Sequence, residues 1–362
     1  MMKWVSLFRP GDWVKNIFVL LPMVFWLSSQ GRDTPTDVVT QKWGALVLAF
    51  IAFCVTASGT YAMNDALDAG EDRKHPLKRM RPVASGAISA TTAISAGVLL
   101  VMAGALLAWS VNANTGVIML SYVGLQLLYN LYFKVTPFVD VAIVATGFCL
   151  RAAAGATSIQ VQISIWLLLC VFFLTLFLGF TKRLCDKASA ENAVKHGEIM
   201  SWKSRAGYDT RDELNWLLAL SACLVLVTYL MYTLSEHANT LYGSRALGLA
   251  LLTPFVAISI HRFYRRANLG LSDKPLQTLM EDRVLFGVIG LYFCWGVFVA
   301  VLSAHGATFG VDVVPLVCWR AKLATAKHKV KQTRLCPANT ICLASRLRNN
   351  QLWSAASIRR LA

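Results

Sequence analysis

The sequence predicts an all-α fold, a polytopic membrane bundle of about nine transmembrane helices, and three observations lead there. The chain is 56% hydrophobic and only 15% charged, where a soluble domain averages about 25% charged. Nine apolar runs can be drawn along it, each near the length of about 20 residues that crosses a bilayer as helix. Lys and Arg fall unequally on the two sides of those runs. Helices must do the spanning, because lipid offers no hydrogen-bond partner to open backbone.

In order, the runs lie near 16–30, 43–63, 87–109, 114–133, 138–157, 163–181, 214–234, 245–262 and 284–303. The first is short and contains Pro22; no small-residue cleavage site follows it, so it does not read as a signal peptide. With the runs taken alternately, one side collects 21 Lys and Arg, from the N-terminus, 64–82, Lys134, 182–213 and 262–283. The other side has 3, namely Arg32, Lys42 and Arg245. The positive-inside rule then puts the N-terminus, 64–82 and 182–213 in the cytoplasm. Arg151 alone is clearly a charge in mid-span; it is either a structural partner for a carbonyl or carboxylate, or an anion ligand deep in a cavity.

The expected organisation is a membrane-embedded catalytic domain over 1–312 and a basic C-terminal tail over 313–362. Residues 320–362 hold ten Lys or Arg and no Asp or Glu, so ten of the sixteen net positive charges belong to the tail. It reads as a disordered appendage or an altered reading frame, with a basic amphipathic helix on lipid head groups as the alternative. The six charges that remain are ordinary orientation signal plus phosphate-binding groups; no nucleic-acid partner is expected. Nine cysteines lie mostly in apolar runs without a CxxC pair, and six histidines show no ligand spacing. Buried free thiols follow, with neither a disulfide framework nor a zinc site.

The chemistry lies in Asn64-Asp65-Ala66-Leu67-Asp68-Ala69-Gly70-Glu71-Asp72, directly after the run 43–63. If the helix continues, Asn64, Asp65, Asp68 and Asp72 fall at about 0°, 100°, 40° and 80° around its axis. Lys78, Arg79 and Arg81 follow within ten residues. Carboxylates suit Mg²⁺, which is usually held by a few of them plus substrate phosphates; cationic forks suit the phosphates. The other reading is a solvated juxtamembrane loop, against which the single-face spacing and the basic run both speak.

These residues carry a resemblance. NDxxDxxxD followed by Lys78-Arg79-Met80-Arg81-Pro82 resembles the first motif of the UbiA-type intramembrane prenyltransferases, and in particular their decaprenyl-phosphate phosphoribosyltransferase branch. Further likenesses are Arg9 to Asn16, Tyr129 to Lys134 with Asp140, Arg151 to Gly155, Thr181-Lys182-Arg183, Asp186, and Arg205 to Tyr208; together they span about residues 4–305. The second DxxxD cluster usual in aromatic prenyltransferases is missing from 182–213.

The resemblance implies a UbiA-like helical bundle and Mg²⁺-dependent transfer of 5-phosphoribosyl from phosphoribosyl pyrophosphate to a polyprenyl phosphate lipid, towards cell-envelope polysaccharide. The implied location is a bacterial inner membrane with the active site facing the cytoplasm. Asp65, Asp68 and Asp72 would hold the metal, with Asn64 as a neutral ligand or orienting group. Lys78, Arg79 and Arg81 would clamp donor phosphates, and Lys15, Lys134, Lys182 and Arg183 the 5-phosphate and the acceptor phosphate. Taken singly, each cation is also what an interfacial snorkelling side chain looks like. Tyr129 would hydrogen-bond a phosphate or ribose, or belong to the aromatic belt; Asp140 would contact the ribose or pair with Lys134. Prenyl transfer to an aromatic or other acceptor, and a transporter or lipid-binding protein using the acidic motif as an ion site, are the rival readings.

Overall fold

Cap residues and prolines set where the helices begin. The computed structural model describes residues 2–29, 35–74, 78–195, 207–208, 210–242, 246–272 and 275–304, and they contain helices and no strand. The first four helices are α1 (Met2–Phe8), α2 (Leu21–Ser29), α3 (Thr36–Leu67) and α4 (Ala69–Lys74). Then come α5 (Ala90–Val111), α6 (Ala113–Leu131), α7 (Val139–Ser158), α8 (Ile165–Lys195) and α9 (Arg211–Thr233). The last five are α10 (Glu236–Tyr242), α11 (Ala246–Leu251), α12 (Thr253–Asn268), α13 (Pro275–Glu281) and α14 (Arg283–Ala304). Short 3₁₀ segments occupy Pro10–Val19, Lys78–Met80 and Phe133–Val135. Ser89, Asn112 and Thr210 accept from the amides of Thr92, Thr115 and Glu213, which fixes the starts of α5, α6 and α9.

Among the described residues five helices, α3, α5, α7, α8 and α9, are long and apolar enough to cross a membrane. They coincide with five of the nine expected runs. Two others match α6 and α14. The remaining two are broken. Run 16–30 is divided between the 3₁₀ segment and α2, and run 245–262 between α11 and α12. Each break has a proline at its far side, Pro22 and Pro254, in a first helical turn where the missing N–H costs nothing.

Three apolar clusters stand among the described residues; the smallest gathers Leu7, Ala62, Ala66, Val83 and Ala93 at the end of α3, and the two larger ones organise the bundle. One gathers Val141, Phe177, Phe180, Leu214, Phe263 and Leu285 from α7, α8, α9, α12 and α14. The other gathers Val19, Met23, Phe53, Met119 and Ala154 around α2, α3, α6 and α7. Helix α7 contributes to both and is the central element. Helices α3 and α5 pack through small residues: a Cβ added at Gly104 would stand 2.1 Å from Thr56 Oγ1 and 2.8 Å from the Ala52 carbonyl. Such contacts let backbones approach where dispersion, not water exclusion, drives association.

Helix α3 has 32 residues, about 48 Å at 1.5 Å per residue. That exceeds a hydrocarbon core of about 30 Å, so its polar C-terminal end projects beyond the apolar run. The chain divides into Met1–Phe309 and Gly310–Ala362; the second unit, with the tail expected over 313–362, lies outside the described residues, as do Arg205 and Asp209.

Candidate active site

The acidic motif is built by a helix that nearly ends and then continues. Asp68 closes α3 at φ −90°, ψ −1°. Its amide still donates to Asn64 O, and the Asp72 amide donates to Asp68 O, both at 2.9 Å. The i→i−4 ladder therefore runs from α3 into α4 and keeps the four side chains in the expected sequence along one side. Asp65, Asp68 and Asp72 are buried, at 1%, 6% and 3% exposure; Asn64 is half-buried beside them.

Buried carboxylates need counter-charge, and each has it. Arg81 donates from Nη1 to Asp72 Oδ2 at 2.7 Å and to Asp65 Oδ1 at 3.2 Å, bridging the two. Arg9 Nη2 donates to the same Asp65 Oδ1 at 2.5 Å. Lys134 Nζ donates to Asp68 Oδ1 at 2.6 Å. Arg9 is held for this role: its backbone is left-handed (φ 49°, ψ 58°), and its guanidinium lies 5.5 Å from the Tyr61 ring centroid. On either side of it, Ser58 Oγ donates to Phe8 O and accepts from Trp13 Nε1, both at 2.9 Å. Lys15 lies over the same Tyr61 ring at 5.8 Å and pairs with Asp12 at 2.8 Å. Lys78 and Arg79 are exposed at the rim.

A second cluster sits where the start of α7 meets the middle of α8 and the stretch before α9. Asp140 is fully buried. Its Oδ2 accepts from Arg183 Nη2 at 2.8 Å and Nε at 3.2 Å, and its Oδ1 accepts from Tyr208 Oη at 2.6 Å. The expected alternative of an Asp140–Lys134 pair is thus corrected. The 3₁₀ turn at Lys134 faces α3, whereas the turn at Pro137 and Phe138 sends Asp140 towards α8. Burial and the bond to Asp140 push the Tyr208 hydroxyl up, keeping it protonated as a donor. Tyr129 is half-buried within electrostatic reach of Arg183, and Lys182 is exposed.

Arg151 is 4% exposed. It donates from Nε to Asn16 Oδ1 at 2.8 Å, from Nη1 to Gly147 O at 2.9 Å and from Nη2 to Tyr122 Oη at 2.9 Å. Of its two readings, these bonds to neutral acceptors are the structural one. Sequence reasoning gave no role to Arg9, although a cation ahead of Pro10-Gly11 before an apolar run was a visible signal, nor to Tyr208, which it noted within a matched stretch.

Could these residues hold a divalent cation? Among the described residues no three His, Cys, Asp or Glu side chains converge into a ready-made cage. Mg²⁺ seldom needs one, since it keeps one or two carboxylates and takes phosphates for the rest. Asp65 meets that need, because its Oδ2 is buried with no hydrogen-bond partner among the described residues. A lone hard oxygen beside two further aspartates fits such an ion.

Comparison with known proteins gives a consistent answer. The model of the UbiA prenyltransferase family matches residues 18–270. The decaprenyl-phosphate phosphoribosyltransferase of Mycolicibacterium smegmatis is 33% identical over 282 residues, 76% of this chain and 86% of that protein. The protein of the same name from Mycobacterium tuberculosis is 30% identical over 281 residues, 78% of this chain and 88% of that protein. In fold, a UbiA homologue from Archaeoglobus fulgidus, solved with GPP and Mg²⁺, superposes with a TM-score of 0.59 at 17% identity, covering 83% of this chain and 99% of that one. A family match across most of the bundle, joined to apolar helices and a polar site at their ends, makes this chain an integral membrane transferase that belongs to the UbiA prenyltransferase family.

Proposed function

We propose that this protein transfers 5-phosphoribosyl from phosphoribosyl pyrophosphate to a polyprenyl phosphate of decaprenyl-like length, using Mg²⁺, at the cytoplasmic face of a bacterial inner membrane. The product would serve cell-envelope polysaccharide synthesis. The observation that carries the reading is the ladder of Asp65, Asp68 and Asp72 interleaved with Arg9, Arg81 and Lys134. It supplies oxygens for a metal and cations for several separate phosphates at one place. The relatives named for this activity support the choice of substrates. So does the missing second DxxxD cluster in 182–213, which a prenyl diphosphate with an aromatic acceptor would call for.

The reaction breaks the anomeric C–O bond, the diphosphate leaving with the electron pair, and forms a C–O bond from an acceptor phosphate oxygen to the same carbon. When bound, Mg²⁺ supplies charge neutralisation for the departing diphosphate. Asn64, Asp65, Asp68 and Asp72 would hold it. Lys78, Arg79 and Arg81 bind the donor's diphosphate; Lys15, Lys134, Lys182 and Arg183 bind the 5-phosphate and the acceptor phosphate. Tyr129 donates to a phosphate or ribose oxygen. Asp140 orients Arg183, and Arg151 ties α7 to the segment that carries Lys15. The acceptor phosphate is already anionic, so no strong general base is required.

The test is mass spectrometry of lipids after purified protein is incubated with Mg²⁺, phosphoribosyl pyrophosphate and a panel of polyprenyl phosphates. A phosphoribosylated lipid with release of diphosphate is expected. Consumption of a prenyl diphosphate with an aromatic acceptor instead would refute the reading.

A further inference from the structure

One turn joins the two clusters. Lys134, at its start, reaches Asp68 of the acidic motif at 2.6 Å, and Asp140, at its end, holds Arg183 of α8. Between them Phe138 has φ 65° and ψ −49°. A bulky residue with positive φ is a real outlier and persists only where its surroundings over-determine it. Two contacts hold it here. Its ring packs on Phe180, centroids 6.0 Å apart, and its amide donates to Tyr208 Oη at 2.7 Å.

Tyr208 comes from the stretch before α9 and is fully buried. Gly207, at φ 75°, makes the turn that feeds it inward. Its ring meets Phe180 edge-on, 79° between planes. A phenol has one proton to give and lone pairs to accept with. Tyr208 uses the proton on Asp140 Oδ1 and a lone pair on the Phe138 amide. One oxygen atom therefore fixes both the strained backbone of the turn and the rotation of the Asp140 carboxylate. That carboxylate has only its other oxygen for Arg183, whose side chain is 29% exposed and lies within electrostatic reach of Tyr129 and Asp186 as well.

The geometry points to Tyr208 as a positioning residue for Arg183: its hydroxyl sets the Asp140 carboxylate, which holds the partly exposed Arg183 side chain in place to meet a substrate phosphate. This rests on the phosphate-binding role given to Arg183 above. A residue that only filled space would need no hydroxyl, and phenylalanine would serve.

The experiment is a double-mutant cycle on the full chain in lipid nanodiscs, comparing wild type, Tyr208→Phe, Arg183→Lys and the double variant. Affinity for inorganic pyrophosphate with Mg²⁺, and separately for a short-chain polyprenyl phosphate, is read by calorimetry beside thermal unfolding. Tyr208→Phe is expected to weaken one of these ligands about three- to tenfold, the net worth of one hydrogen bond, and to add nothing once Arg183→Lys is present. Additive losses, or a lowered Tm with both affinities unchanged, would overturn the proposal. So would an Arg183→Lys protein that binds both ligands normally. Should Tyr208→Phe fail to insert, Asp140→Asn, which keeps the shape and one oxygen, takes its place in the cycle. Pyrophosphate is common to ribosyl and prenyl donors. A wild-type protein that consumes prenyl diphosphate would therefore refute the donor assignment while the cycle still decides on Tyr208.

Discussion

Asp65→Asn isolates the part of the site on which the proposed chemistry leans most. In the structure Asp65 Oδ1 carries Arg9 at 2.5 Å and Arg81 at 3.2 Å, and Oδ2 is buried without a partner among the described residues. The substitution can keep an oxygen where Oδ1 stands, so both guanidinium contacts retain an acceptor and lose only its charge. That costs about 1–2 kcal/mol, the difference between a charged and a neutral hydrogen bond. The bundle should survive it, inserting and purifying with a Tm lowered by a few degrees. At the Oδ2 position, however, an amide N–H₂ replaces the free oxygen and cannot ligate a metal. Charge stabilisation of a departing diphosphate is worth several kcal/mol, and losing about 2.7 kcal/mol of it is a hundredfold in rate. Turnover should therefore fall at least about a hundredfold, and Asp68→Asn should behave alike. The assay is diphosphate release by nanodisc-embedded protein across a Mg²⁺ titration. Near-normal turnover of both variants at low Mg²⁺, with insertion intact, would sink the metal assignment.

Other outcomes follow from other parts of the structure. Replacing Lys182 or Arg183 should raise the apparent KM for donor or acceptor roughly ten- to a hundredfold, and Arg183→Lys should not restore it, because the fork that grips Asp140 through Nε and Nη2 has no lysine equivalent; varying each substrate in turn checks this. Gly104→Ala would drive a methyl to within 2.1 Å of Thr56 Oγ1 and 2.8 Å of a backbone oxygen, so the α3–α5 contact must shift; a loss of about 1–3 kcal/mol is expected, read by thermal unfolding in detergent. Deleting 320–362 should leave turnover largely unchanged, since no candidate ligand lies there; lost activity in correctly inserted protein would contradict that. Asp282 supplies a pH test: burial raises its carboxyl, but Arg262 and the Leu285 and Val284 amides outweigh burial and hold it below the ordinary carboxylate range. A group lowered on folding stabilises above its unfolded value, about 3.9, and loses that contribution as pH falls through its folded value. Asp282→Asn should thus lower Tm at neutral pH and converge with wild type in acid.

What the sequence could reveal here was whatever depends on neighbours along the chain. Composition and run length are local properties, and the long helices α3, α5, α7, α8 and α9 stand where the apolar runs are. The acidic ladder is local too: the spacing of Asp65, Asp68 and Asp72 needs only that α3 not unwind, and two backbone hydrogen bonds carry it into α4. Within runs 16–30 and 245–262 the helix is interrupted, because apolarity marks what is buried or lipid-facing, whereas continuity of helix is decided by backbone, and Pro22 and Pro254 each restart it. Partners were the illegible part. Arg9 meets Asp65 across 56 residues, Lys134 meets Asp68 across 66, and Tyr208 meets Asp140 across 68. Each pairing depends on which helix ends the packing of the bundle brings to one level. A carboxylate in low dielectric takes whichever cation the fold delivers to it. Asp140 shows the consequence: the cation six residues away is drawn to α3, and the one 43 residues on, in α8, takes its place.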